Sequence, residues 1–165
     1  MLPEITLFFL AASVSGQTSG AATQLYNVTE TFERAISKGP LAKDYEVSFH
    51  LNPFYLRGDF NGDGEIDVAV LVKQRSTGKL GIAIIHGGTS KVAILGAGAR
   101  LGNGGDDFEW MDNWQVYPKG RVARWTDEPS LPRLQGEALL VGKSEAASGL
   151  IYWDGKRYVW FQQGD

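Results

Sequence analysis

Apolar and polar positions recur along this chain with two different periods. Leu25, Val28, Phe32, Ala35 and Ile36 fall at helical spacing and predict one amphipathic helix whose stripe packs on a sheet. Asn27 with Glu30 three residues later resembles a capping pair. Glu30 and Glu33 precede Arg34 and Lys38, and Gly39-Pro40 closes the segment. From Tyr45 the period falls to two. Tyr45, Val47, Phe49 and Leu51 alternate with Glu46, Ser48 and His50, which predicts a strand with Phe49 in the core and His50 on the wet face. Ile66 to Val72 and Leu80 to Ile85 are almost wholly apolar and read as central strands, joined by a polar hairpin loop containing Gly78. Lys91 to Leu95, Glu137 to Ser144, Gly149 to Trp153 and Lys156 to Gln162 read as further strands. Asp154-Gly155 between the last two predicts a two-residue type I′ turn. Gly96 to Trp114 and the turn-rich stretch from Pro118 to Gly136 read as loops. No internal repeat and no second domain is visible. The fold class that follows is α+β, a predominantly antiparallel β-sheet with one N-terminal α-helix, and residues 25–165 form a single domain.

Charge and composition narrow the chemistry. The 165 residues carry a net charge of −3 without a basic block, which excludes a duplex nucleic-acid binder and disfavours an anionic membrane surface. There is no cysteine, so disulfides, thiolate zinc sites, iron–sulfur clusters and cysteine nucleophiles are all excluded. With only two histidines, any metal must be held chiefly by oxygen. The apolar run Ile5 to Leu10, extended by Ala11, Ala12 and Val14, falls short of the roughly 20 residues that span a bilayer. It suits the apolar region of a secretory signal, although Met1-Leu2-Pro3-Glu4 lacks a basic residue. Val14-Ser15-Gly16 offers small residues for cleavage. Residues 1–16 are therefore expected to be a signal peptide and 17–24 a flexible spacer. The compartment is secreted or periplasmic, a cysteine-free chain suggests a bacterial exterior, and no stable membrane insertion is expected after signal removal.

One loop carries explicit chemistry. Asp59-Phe60-Asn61-Gly62-Asp63-Gly64-Glu65-Ile66-Asp67 reads D-x-N-x-D-G-x-x-D. Side-chain oxygens stand at positions 1, 3, 5 and 9, glycine at position 6 permits a sharp bend, and Glu65 at position 7 can turn its main-chain carbonyl inward. Hard oxygens in a flexible loop suit Ca²⁺ better than Mg²⁺, and three converging aspartates repel unless a cation joins them. An EF-hand is excluded because Val70 stands where its bidentate glutamate belongs and the flanks are not helical. Gly58 to Gly64 followed by Asp67-Val68-Ala69-Val70 resembles the calcium loop of FG-GAP and VCBS repeats, the integrin-type propeller repeats. The resemblance implies Asp59, Asn61, Asp63, Glu65 (main chain) and Asp67 as ligands. It does not extend to a propeller, which needs roughly four or more blades, whereas this chain has a single copy of the loop.

Other signals fail or stay open. Gly136 to Ser144 has the wrong spacing for a phosphate-binding loop, Gly96-Ala97-Gly98 lacks the third glycine of a dinucleotide site, and His86-Gly87-Gly88 has no nucleophile elbow to serve. Asp106, Asp107, Glu109 and Asp112 are open to three readings: paired catalytic carboxylates, a second cation site or a solvated loop. Trp110, Trp114, Trp125, Trp153 and Trp160 suit a sugar platform or, more often, a core. The expected function is a secreted calcium-binding, non-catalytic binding or interaction module with a protein or glycan ligand. The alternative is a small calcium-dependent glycan hydrolase using the acids of 106–112.

Overall fold

The computed structural model describes residues 30–89, 91–123 and 130–164. Two short helices, α1 (Glu30–Lys38) and α2 (Pro40–Asp44), precede nine strands. The first strands are β1 (Tyr45–Val47), β2 (Tyr55–Gly58), β3 (Asp67–Gln74), β4 (Leu80–Ile85) and β5 (Val92–Gly96), which form one sheet. The others, β6 (Asn113–Tyr117), β7 (Ala138–Lys143), β8 (Ala147–Trp153) and β9 (Tyr158–Gly164), form a second sheet in sequence order. Every strand pairing is antiparallel.

The continuous apolar runs are explained by layering. On β3, Val68, Val70 and Val72 pack with Phe32 and Leu41 of the helices and with Ala83 and Ile85 of β4. The alternate residues Ala69 and Leu71 join Ile82, Ile84 and Leu95 in a core shared with Trp114, Leu139, Val141, Ile151 and Tyr158 of the second sheet. The first sheet is thus covered on both faces, and a strand in that position has no wet side to mark with polar residues. Each fully buried Leu or Ile in this layer contributes roughly 1.5–3 kcal/mol. The outer face of the second sheet is covered in turn, with Ala138, Leu150 and Phe161 packing against Val122, Leu131 and Leu134 of the β6–β7 connection.

Several expectations need correction. Leu25 to Thr29, including the Asn27 cap, lie outside the described residues, as do residues 1–24 and Trp125. Gly39-Pro40 does close α1, which ends at Lys38, but a second helix not read from the sequence follows at once, because Pro40 opens α2 from a first-turn position where its missing N–H costs nothing. The strand expected over 45–51 stops at Val47. β1 pairs with Gln74 to Val72 and β2 with Val70 to Asp67, so both lie along the same edge of β3. Residues 48–54 loop out between them, held by Ser48 N donating to Leu71 O and Leu71 N to Phe54 O. Phe49 is therefore 54% exposed rather than core, its ring resting edge-on against Phe54 at 4.7 Å. The last hairpin pairs Trp153 with Tyr158, leaving four residues in its connection, and only Gly155 among them has positive φ, at 103°. A type I′ turn would need two such residues. Strands β2 and β6, which the sequence pattern does not predict, are the two short additions.

Candidate functional site

The 59–67 loop links β2 to β3 through a nest of side-chain to backbone bonds. The Asp59 carboxylate accepts from the amides of Gly62 at 2.7 Å, Asp63 at 3.0 Å and Gly64 at 3.0 Å. Asn61 Oδ1 accepts from Asp63 N, and Asp63 Oδ1 from Glu65 N. Gly62 and Gly64 sit at φ of 78° and 90°, the left-handed region that lets the chain fold back on these acceptors. The Glu65 amide, followed by the Asn61 side-chain amide, holds the Asp63 carboxyl below the usual carboxylate range. Asp63 and Glu65 are exposed, Asp59 and Asn61 half-buried, and Asp67 fully buried.

Asp67 ties the loop to the first sheet. Its Oδ2 accepts from Phe60 N and its Oδ1 from Gly87 N, each at 3.0 Å. His86 Nδ1 stands 3.5 Å from Asp67 Oδ1 and 2.8 Å from Asn61 Nδ2. The same ring stacks on Tyr158, with centroids 5.8 Å apart. Tyr158 is 6% exposed and its hydroxyl has no hydrogen-bond partner among the described residues. Burial, and then the charges of Asp67, Asp59 and Asp63, push that phenol far above its ordinary pKa.

Asp59 ties the same loop to the second sheet. Its amide donates to Glu137 Oε2 at 2.9 Å, and its carbonyl accepts from Glu137 N at 2.7 Å. Contact here is backbone on backbone. A Cβ on Gly136 would stand 2.2 Å from Asp59 O and 2.6 Å from Gly62 N. Sequence reasoning found every loop residue but missed His86, Glu137 and Tyr158. Only His86 had a signal, since pairing Val68 with Ile85 sets the residues after Ile85 beside Asp67.

The donor set is oxygen from three carboxylates and an amide, with one imidazole behind it, which matches a hard cation. Among the described residues no three acidic or histidine side chains converge as a ready-made metal centre. The loop oxygens accept N–H donors instead: Asp59 Oδ1 accepts two amides, whereas Asp59 Oδ2 and the Asp63 and Asp67 oxygens accept one donor each and keep a second lone pair for a cation. The Tyr158 hydroxyl, unpartnered among the described residues and within electrostatic reach of Asp67, Asp59 and Asp63, is the feature that a cation or its bound water would satisfy.

Three of the four acids of 106–112, Asp106, Asp107 and Asp112, are engaged by their side chains, while Glu109 is exposed. Asp106 pairs with Lys79, and Asp107 Oδ1 accepts from Leu80 N and Glu109 N. Asp112 Oδ1 accepts from the amide and hydroxyl of Ser144 and from Asn113 Nδ2, while its Oδ2 faces Lys143 at 3.2 Å. Lys79 lowers the pKa of Asp106, and the Ser144 amide above all lowers that of Asp112. Glycosidic cleavage needs one carboxyl that keeps its proton, a role that the lowered pKa of Asp106 and of Asp112 does not suit. Trp114, meanwhile, is a core residue that donates to Pro53 O at 2.7 Å. Compared with known proteins, the chain matches no protein-family model, no curated protein and no solved structure.

Proposed function

We propose that this chain is a non-catalytic binding module of an extracellular or periplasmic compartment, and that its 59–67 loop takes up Ca²⁺ as a structural ion. Asp59, Asn61, Asp63 and Asp67 would supply side-chain oxygens and Glu65 its main-chain carbonyl. When bound, the ion supplies charge neutralisation and no chemistry. The observation that carries the reading is the loop's double anchorage, through Asp67 to Gly87 just after β4 of the first sheet and through Asp59 to Glu137 just before β7 of the second. A cation that stiffens this loop would tie both sheets at one point. No described helix is long and apolar enough to cross a membrane.

Thermal melts in calcium and in chelator test the proposal. At a tenfold excess over Kd the ion adds about 1.4 kcal/mol, a rise in Tm of roughly 2–6 °C for a chain of this size. Asp63→Ala should remove the calcium response while leaving folded protein, because Asp63 is exposed and its bonds lie within the loop. Superimposable melts for the parent chain would refute the calcium assignment.

A further inference from the structure

We propose that the cleft between strands β5 and β9 docks an extended acidic peptide, which adds to the first sheet as a strand along β5. β5 and β9 end their respective sheets, and residues 93–95 and 156–160 face one another across an open cleft of about 630 Å³. Exposed edges are normally blunted by charge, proline or a bulge. β5 reads Val92-Ala93-Ile94-Leu95-Gly96 and has none of these; its Gly96 end is taken by a bridge to Ala99, which leaves the stretch from Val92, 37% exposed, to Leu95 as the edge open to a partner.

The charge around the cleft says what kind of segment fits. Arg100, Lys156 and Arg157 line it and no acidic residue does, in a chain whose net charge is −3. None of the three is in an ion pair among the described residues. Two acids stand near these cations without lining the cleft: Asp106, which pairs with Lys79 and also feels Arg100, and Asp154, which accepts the amides of Lys156 and Arg157 and feels both of their charges, so three cations face the cleft against two acids set back from it. Trp153 and Trp160 supply part-exposed apolar surface in the same cleft. A bound strand alternates its side chains, so a segment alternating acidic and apolar residues meets the cations with one set and the indoles with the other. The inference rests on reading the chain as a binding module and is independent of calcium.

The test uses the full chain and a fluorescein-labelled octapeptide of alternating valine and glutamate, followed by fluorescence anisotropy. The same peptide with lysine for glutamate, and a hexagalacturonate, serve as comparisons. The acidic peptide should bind with a Kd below about 1 mM, and the lysine peptide at least about tenfold more weakly. Arg100→Glu and the pair Lys156→Glu with Arg157→Glu should each weaken the acidic peptide about tenfold, while Lys119→Glu, outside the cleft, should not. Bound peptide should also slow hydrogen exchange at β5 amides. Equal affinity for both peptides, no binding below about 1 mM, preference for the galacturonate, or β5 exchange unchanged on binding would each overturn the proposal. So would peptide-insensitive dimerisation through β5 in sedimentation. Running the titration in calcium and in chelator separates the two readings: binding without a calcium-dependent Tm upholds the groove and rejects the ion, and the reverse result does the opposite.

Discussion

Asp67 has no solvent exposure, and each of its carboxylate oxygens takes one backbone amide, from Phe60 and from Gly87. Truncating it strands both donors, at about 1–3 kcal/mol for each buried group left unpaired. Asp67→Ala should therefore lower the urea midpoint sharply, and Asp67→Asn, which keeps one acceptor, should recover part of the loss. The two phenylalanines nearby make a contrast of burial. Phe60 is 1% exposed and Phe49 54% exposed. Phe60→Ala should cost about 3–5 kcal/mol and Phe49→Ala less than about 1 kcal/mol, as read from denaturation midpoints. Equal costs would contradict the looping-out of residues 48–54.

Gly136 is where the loop and the second sheet meet without side chains between them. Gly136→Ala drives a methyl into Asp59 O and Gly62 N, and neither backbone atom can yield unless the loop lifts off β7. A loss of about 1–3 kcal/mol is expected by equilibrium unfolding, with Gly120→Ala, whose Cβ meets nothing within 4 Å, as the neutral control. How well the sequence announces an element follows from the same packing logic. β3 and β4 are legible as apolar runs because the helices cover one face and the second sheet the other. β1 misleads because the alternation persists to Leu51 while the chain leaves the edge of β3 after Ser48. β2 and β6, at four and five residues, are too short for a period to declare itself. The 59–67 loop is legible whole, since its spacing is local, but Glu137 lies 78 residues from Asp59 and Tyr158 comes from the far edge of the other sheet. No local pattern encodes such contacts.

Across the whole molecule, the chain completes one sheet before it begins the other. The first ends at Gly96 and the second starts at Asn113, with no strand of one inserted in the other. On an emerging polypeptide this order leaves the inner face of the first sheet, Ala69, Leu71, Ile82, Ile84 and Leu95, with only Phe60, Leu101, Phe108 and Met111 of its cover until Trp114, Leu139, Val141 and Ile151 have been made. Such an apolar surface is sticky for as long as synthesis or translocation lasts. A chain ending at Asp112 should bind a hydrophobic dye and sediment as aggregate, whereas the full chain should do neither. A truncated chain that stays monomeric and dye-negative would show that the first sheet shields itself. If the sheet does stay bare, the vulnerable period of this protein is its birth, and a holding chaperone that masks one face of one sheet would be enough to protect it.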